Sequence, residues 1–356
     1  MSVAAAVDHA FEAVAAALAT TPIPGAVLGA IDRTGTLAVR VAGDAQRVPE
    51  RVAATRGTVY DLASLTKVVF TTTAILRLVE AGRIALDDPL TRAIPDLRQY
   101  DVANAAERRL TFRQCLAHDT FLPAVEPLYT YGQDPATLRA FVLQRVWAHG
   151  APVYSDINFI LLGIALERLN DRPLGAHDPG FGLTFRPDPA LCAATEACTW
   201  RGRVMRGEVH DENAFRLDGV AGHAGLFSSG RDLSRLAQLY LRHGVLDGGG
   251  RLFDSATVAT FTQAQDPARS HRALGWETPT PGNSAGRRLS PRAFGHTGFT
   301  GTSLWMDPGR NLYVLLLSNR VNPTRENRKI GAVRTALADA VVGALEGAGR
   351  TAAPGW

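Results

Sequence analysis

"YDLASLTKVVF", residues 60–70, holds Ser64 and Lys67 three positions apart. The 38 basic residues of this 356-residue chain include only two lysines, Lys67 and Lys329, so a lysine one helical turn after a serine asks for a reason. A serine hydroxyl is a poor nucleophile at neutral pH and needs a base within hydrogen-bond reach. On a helix, positions i and i+3 share a face, so Ser64 at a helix start and Lys67 one turn later bring an amine to the hydroxyl. The helix start adds unpaired N–H groups and the positive dipole end, which suit an oxyanion. Arginine stays charged and cannot serve as base, whereas a desolvated lysine can lose its proton. The bland competitor is an N-cap serine followed by a surface lysine.

Two further stretches bear on the choice. "APVYSDINFILLG", residues 151–163, sets Tyr154, Ser155, Asp156 and Asn158 before an apolar helix. A tyrosine beside a lysine and a serine can shuttle a proton, acting as base in one half-reaction and acid in the next; otherwise it packs at a loop-helix junction that Ser155 or Asp156 caps. In "FGHTGFTGTSLWMDP", residues 294–308, His296, Thr297 and Gly298 sit on a strand edge. Small residues there let a substrate backbone lie alongside, and the N–H of Phe299 can face an oxyanion. The alternative is a plain turn between strands.

Around these stretches the pattern divides. A helix over about residues 3–20 is followed by "TPIPG" and by two β-like runs, "AVLGAI" and "TLAVRVAG", separated by "DRTG". The far end supplies strands divided by "DPGRN" and then a helical stretch from "RENRKIGAV" onward. Both ends therefore read as halves of one antiparallel sheet with flanking helices. Between about residues 68 and 260 the period is mainly helical, joined by long Pro- and Gly-rich loops of the kind that carry function.

Composition excludes several classes. A 46% hydrophobic content fills a real core, and a net charge of +4 comes from dispersed arginines, so no nucleic-acid footprint is visible. Cys115, Cys192 and Cys198 form no disulfide framework or zinc pattern, although Cys192 and Cys198 are close enough in sequence to pair; they read as buried free thiols. The opening segment lacks a basic n-region and carries Asp8 and Glu12, so it reads as an amphipathic helix and not a signal peptide. No run reaches a membrane span, and the expected location is the cytoplasm.

Ser64-Leu65-Thr66-Lys67, Tyr154-Ser155-Asp156 and His296-Thr297-Gly298 resemble the S-x-x-K, Y-x-N and K/H-T-G triplet of the serine β-lactamase and penicillin-binding-protein superfamily, on its class C, D-alanyl-D-alanine peptidase and family VIII esterase side. "LTFRQCLAHDTFLPA" (110–124) and "RGEVHDENAFRLDGVAGHAGLFSSGRDLSRLAQLYL" (206–241) resemble further segments of these proteins, including a subgroup of muropeptide amidases, and the similarity runs over about residues 20–345. The resemblance implies Ser64 as acylated nucleophile, Lys67 as its activating partner and Tyr154 as proton shuttle. Asp156, His296, Thr297, Gly298 and Phe299 would line the substrate, with the N–H groups of Ser64 and Phe299 as oxyanion hole. It departs in three places: Asp156 replaces the usual asparagine and cannot donate a hydrogen bond, His296 replaces the usual lysine, and "HDTF" at 118–121 lacks the glycine of the family loop. S-D-N does not occur, which sets aside class A β-lactamases.

The expected architecture is α/β (α+β), β-lactamase/transpeptidase-like. Residues 1–80 and 265–356 form an antiparallel sheet flanked by helices, and a mainly helical domain with long loops, 81–264, is inserted between them. The site is expected in the cleft where they meet. The expected function is a serine hydrolase acting through an acyl-enzyme on an ester or amide, with no cofactor and no metal. Its partners would be a small-molecule ester, a β-lactam or a peptidoglycan-derived peptide. Two rivals remain: a receptor that binds such molecules without turnover, and a metal-dependent hydrolase built on His210 and His223 with Asp211 and Glu212, whose spacing matches no zinc motif.

Overall fold

The computed structural model describes residues 3–20, 25–32, 37–268 and 270–347; most of "DRTG" and of "TPIPG" lies outside the described residues. The chain opens with α1 (Val3–Thr20), β1 (Gly25–Asp32), β2 (Leu37–Gln46), β3 (Val52–Ala53) and β4 (Val59–Asp61). A π-helical turn over Lys67–Thr72 then runs into α2 (Thr73–Glu80). The middle carries α3 (Phe112–Leu116), α4 (Pro135–Gln144), α5 (Asp156–Asn170), the ribbon β5 (Ala194–Cys198) and β6 (Arg203–Arg206), α6 (Glu212–Arg216), β7 (Phe227–Ser229), α7 (Gly230–Leu241) and α8 (Ser255–Thr262). The chain returns through β8 (Phe294–Thr297), β9 (Ser303–Asp307), β10 (Leu312–Ser318) and α9 (Ile330–Gly347).

The two ends join as expected. Six strands form one antiparallel sheet in the order β3-β2-β1-β10-β9-β8, and the halves meet at β1 and β10, in register from Ala26 opposite Ser318 to Asp32 opposite Leu312. Strand alternation divides β10 between two cores: Leu312, Val314 and Leu316 pack with Phe11 of α1 and Val333 and Val341 of α9, while Tyr313, Leu315 and Leu317 face the larger core. The amphipathic α7 lies on that second face, against β1, β9 and β10.

Two short-range devices place the remaining elements. α5 is buried without a break from Ile157 to Leu166, the mark of a helix surrounded by protein. It sits against the Gly222 loop so tightly that a Cβ on Gly222 would stand 2.1 Å from the Phe159 carbonyl oxygen. The pair β4 and β7, with Val59 opposite Ser229, fixes the strand that leads into Ser64. Cys115, Cys192 and Cys198 are free and buried. Among the described residues, no helix is long and apolar enough to cross a membrane.

Candidate active site

β4 ends at Asp61, whose buried carboxylate accepts the N–H of Ala63 at 2.7 Å and that of His210 at 2.6 Å. This turn forces Ala63 into the left-handed region at φ +47°, a conformation disfavoured for a residue with a Cβ. Ser64 follows, half-buried, and the backbone N–H of Lys67 closes on its carbonyl at 3.1 Å. The π-helical turn then begins, a distortion frequent at functional sites.

Lys67 is fully buried; its ammonium donates to Ser64 Oγ at 2.9 Å and to the His223 carbonyl at 3.3 Å, and it forms an ion pair with Asp156 Oδ1 at 2.8 Å. Burial disfavours the charge, but the Asp156 carboxylate outweighs it and holds Lys67 above the ordinary lysine range. This corrects the expectation of a lysine that desolvation leaves neutral. The reason lies in Asp156, which stands at the first turn of α5 and turns its carboxylate onto Lys67.

The Tyr154 ring lies 4.8 Å from Lys67 Nζ. Its hydroxyl is buried beside Ser64 and Lys67 without closing a hydrogen bond of regular geometry to either. Burial, opposed by Lys67, raises its pKa, so it is a neutral phenol at rest. Two imidazoles flank it, His118 at 4.6 Å and His296 at 5.7 Å between ring centroids. His118 Nδ1 accepts the Ser155 N–H at 3.0 Å, so its proton is on Nε2, which has no partner among the described residues. His296 Nδ1 donates to the Thr297 carbonyl at 2.8 Å, leaving the Nε2 lone pair without a partner among the described residues. Burial, helped by Lys67 and Arg272, pulls His296 down to about 3, so it is neutral. Burial likewise holds His118 well below the usual range.

Sequence reasoning missed Arg272. Its guanidinium stands 5.1 Å from the Tyr154 ring, with Glu277 as a distant ion-pair partner at 3.5 Å. No motif marks it among so many arginines. His223 and Asp211, read from the sequence as candidate metal ligands, instead pair with each other, His223 Nε2 and Asp211 Oδ1 lying 2.9 Å apart beside Lys67. Burial works against the Asp211 charge, yet His223 holds its carboxyl below the usual range.

β8 closes the opposite wall. The turn after it is bound to the Ser64 segment by Thr300 Oγ1 donating to the Asp61 carbonyl at 2.7 Å and Thr302 Oγ1 to that of Leu62 at 3.1 Å. A Cβ on Gly298 would lie 2.4 Å from the Leu62 carbonyl oxygen, so only glycine allows this approach. Phe299 is 49% exposed, stacked on His210 at 5.5 Å. Among the described residues the N–H groups of Ser64 and Phe299 donate no hydrogen bond.

The metal rival fares poorly in this arrangement. His210 turns to Glu196 at 3.0 Å and His223 to Asp211, so the two imidazoles serve different carboxylates. The ligand atoms of Asp156, Asp211 and His223 lie within 4.8 Å of one another, but the Lys67 ammonium already supplies the positive charge there. A cavity of about 850 Å³ lined by Arg139, Glu167, Arg186, Glu208 and Asp218 contains none of the Ser64, Lys67 and Tyr154 side chains.

Comparison with known proteins shows the family and the fold. The family model Beta-lactamase matches residues 10–338. The chain belongs to the Beta-lactamase family. A putative D-alanyl-D-alanine carboxypeptidase of Salmonella agona is 31% identical over 327 residues, covering 78% of this chain and 73% of that relative. A penicillin-binding protein homologue from Caulobacter crescentus superposes with a TM-score of 0.73 at 21% identity, over 97% of this chain and 98% of the other. A β-lactamase from Sulfitobacter sp. EE-36 gives a TM-score of 0.71 at 23% identity, over 98% and 99%. Like its relatives in the Beta-lactamase family, this chain is a serine hydrolase.

Proposed function

We propose that this chain cleaves an ester or amide through a covalent acyl group on Ser64, and that its substrate carries a carboxylate near the scissile bond. The observation that carries the reading is the buried Lys67 ammonium between Ser64 Oγ at 2.9 Å and Asp156 Oδ1 at 2.8 Å, 4.8 Å from the Tyr154 ring. As Ser64 Oγ bonds to the substrate carbonyl carbon, its proton moves to Tyr154 Oη in the same concerted relay that sends the phenolic proton to the leaving oxygen or nitrogen, so Tyr154 never carries two protons, and the bond to that protonated leaving atom then breaks. Lys67 remains protonated throughout, donating to Oγ as negative charge grows there. The carbonyl oxygen, now negative, faces the N–H groups of Ser64 and Phe299. Water then repeats the sequence in reverse and releases the acid.

The carboxylate preference follows from charge. Neutral His296 brings no cation to the substrate strand, so Arg272 at the Tyr154 ring and the Nε2–H of His118 take that role. The Salmonella relative, named a putative D-alanyl-D-alanine carboxypeptidase, supports a peptide ending in a free carboxylate. Incubation with a fluorophosphonate, then peptide mass spectrometry, should find the adduct on Ser64 and none in Ser64→Ala. A panel of p-nitrophenyl esters, nitrocefin, D-Ala-D-Ala peptides and muramyl peptides then ranks substrates. Failure to label Ser64, or equal hydrolysis by Ser64→Ala, overturns the reading.

A further inference from the structure

Arg334 rises from the first turns of α9 into the protein and sends Nη2 to two carbonyls, Gly298 O at 2.6 Å and Thr302 O at 2.8 Å. Gly298 O belongs to the same peptide unit as the Phe299 N–H. A peptide is conjugated from oxygen to nitrogen, so a cation drawing on the oxygen deepens the positive end at N–H. The Gly301 N–H also donates to that oxygen at 3.1 Å, and on the next unit Arg320 Nε holds the Phe299 carbonyl at 2.8 Å. Two guanidinium groups therefore hold consecutive carbonyls on either side of one free amide. Burial, with Arg320 nearby, pulls Arg334 down to about 10, which leaves it cationic at neutral pH.

We propose that Arg334 is a positioning residue for catalysis: it fixes and polarises the Gly298–Phe299 peptide so that the Phe299 N–H stands ready as an oxyanion donor. A turn needing only closure has Gly301 N–H for that purpose; a buried guanidinium, costly to desolvate, adds charge where the reaction develops its own. The inference rests on the acyl-serine reading above. Loss of an oxyanion donor slows catalysis about 10²–10³-fold, and loss of its support should slow it less.

The test uses Arg334→Gln and Arg334→Lys in the full chain, each checked by thermal melting. For a p-nitrophenyl ester, kcat should fall about 10–100-fold in the glutamine variant, with KM within about threefold, and by an intermediate factor in the lysine variant. The infrared carbonyl stretch of the acyl-enzyme should shift to higher frequency in both. If the glutamine variant does not fold, the lysine variant carries the comparison. In the wild type alone, the acyl carbonyl must absorb at lower frequency than in the denatured acyl-protein. Unchanged kcat and stretch in a folded variant, or no native shift in the wild type, overturns the proposal. A wild type that never acylates at Ser64 instead refutes the proposed function, so the two failures are distinct.

Discussion

Asp156→Asn is the most informative single change, because it restores the residue usual at this position while removing the charge that holds Lys67 protonated. At 2.8 Å and an effective dielectric near 20, the pair interacts by about 6 kcal/mol, equivalent to roughly four pH units in the lysine. Asp156 is 20% exposed, and solvent screening reduces this to about two pH units. Lys67 acts in its protonated form, and its folded pKa lies above the ordinary range, so its contribution is present below that pKa and lost as pH rises through it. In the variant, burial acts without its counterweight and lowers the pKa. The alkaline limb of kcat/KM should therefore move down by about two pH units or more. The two lysines make a direct assay practical: with ¹⁵N-lysine labelling the protein shows only Lys67 and the exposed Lys329. In the wild type the Lys67 signal should not titrate below about pH 11, and in the variant it should. An unmoved limb refutes the reasoning. So does a rise in kcat/KM at pH 7, which would make neutral Lys67 the base.

Arg272→Gln should raise KM about tenfold for substrates with a carboxylate and leave neutral esters within twofold; equal effects on both classes would remove Arg272 from substrate recognition. Gly298→Ala brings a Cβ to 2.1 Å from Thr302 Oγ1 and 2.4 Å from the Leu62 carbonyl oxygen, so urea unfolding should show a loss of about 1–3 kcal/mol together with reduced kcat; native stability with native kcat contradicts the close packing. Since burial pulls His296 down to about 3, its ring proton resonances should stay constant from about pH 8 to pH 4.5, whereas a transition near 6.5 would show that it charges in the native state. The unfolded chain binds that proton near pH 6.5, so the native state should lose stability steadily as pH falls from about 6.5 toward 3, read as a declining Tm.

The sequence alone determined the features that depend on neighbours within a few positions. The alternation of β10 assigned its two faces, because a strand sends successive side chains to opposite sides. The three-residue step from Ser64 to Lys67 brought the hydroxyl and the amine together, because one turn of backbone spans that distance. Resemblance across the whole chain supplied the order of the three motifs. Tertiary structure decided the protonation of Lys67, which depends on a carboxylate 89 positions further along that α5 aims at it. It also selected Arg272 and Arg334 from a chain rich in arginine, by setting one at the Tyr154 ring and the other on the Gly298 carbonyl. Coulomb energies follow distance in space and local dielectric, and neither quantity is a function of sequence separation.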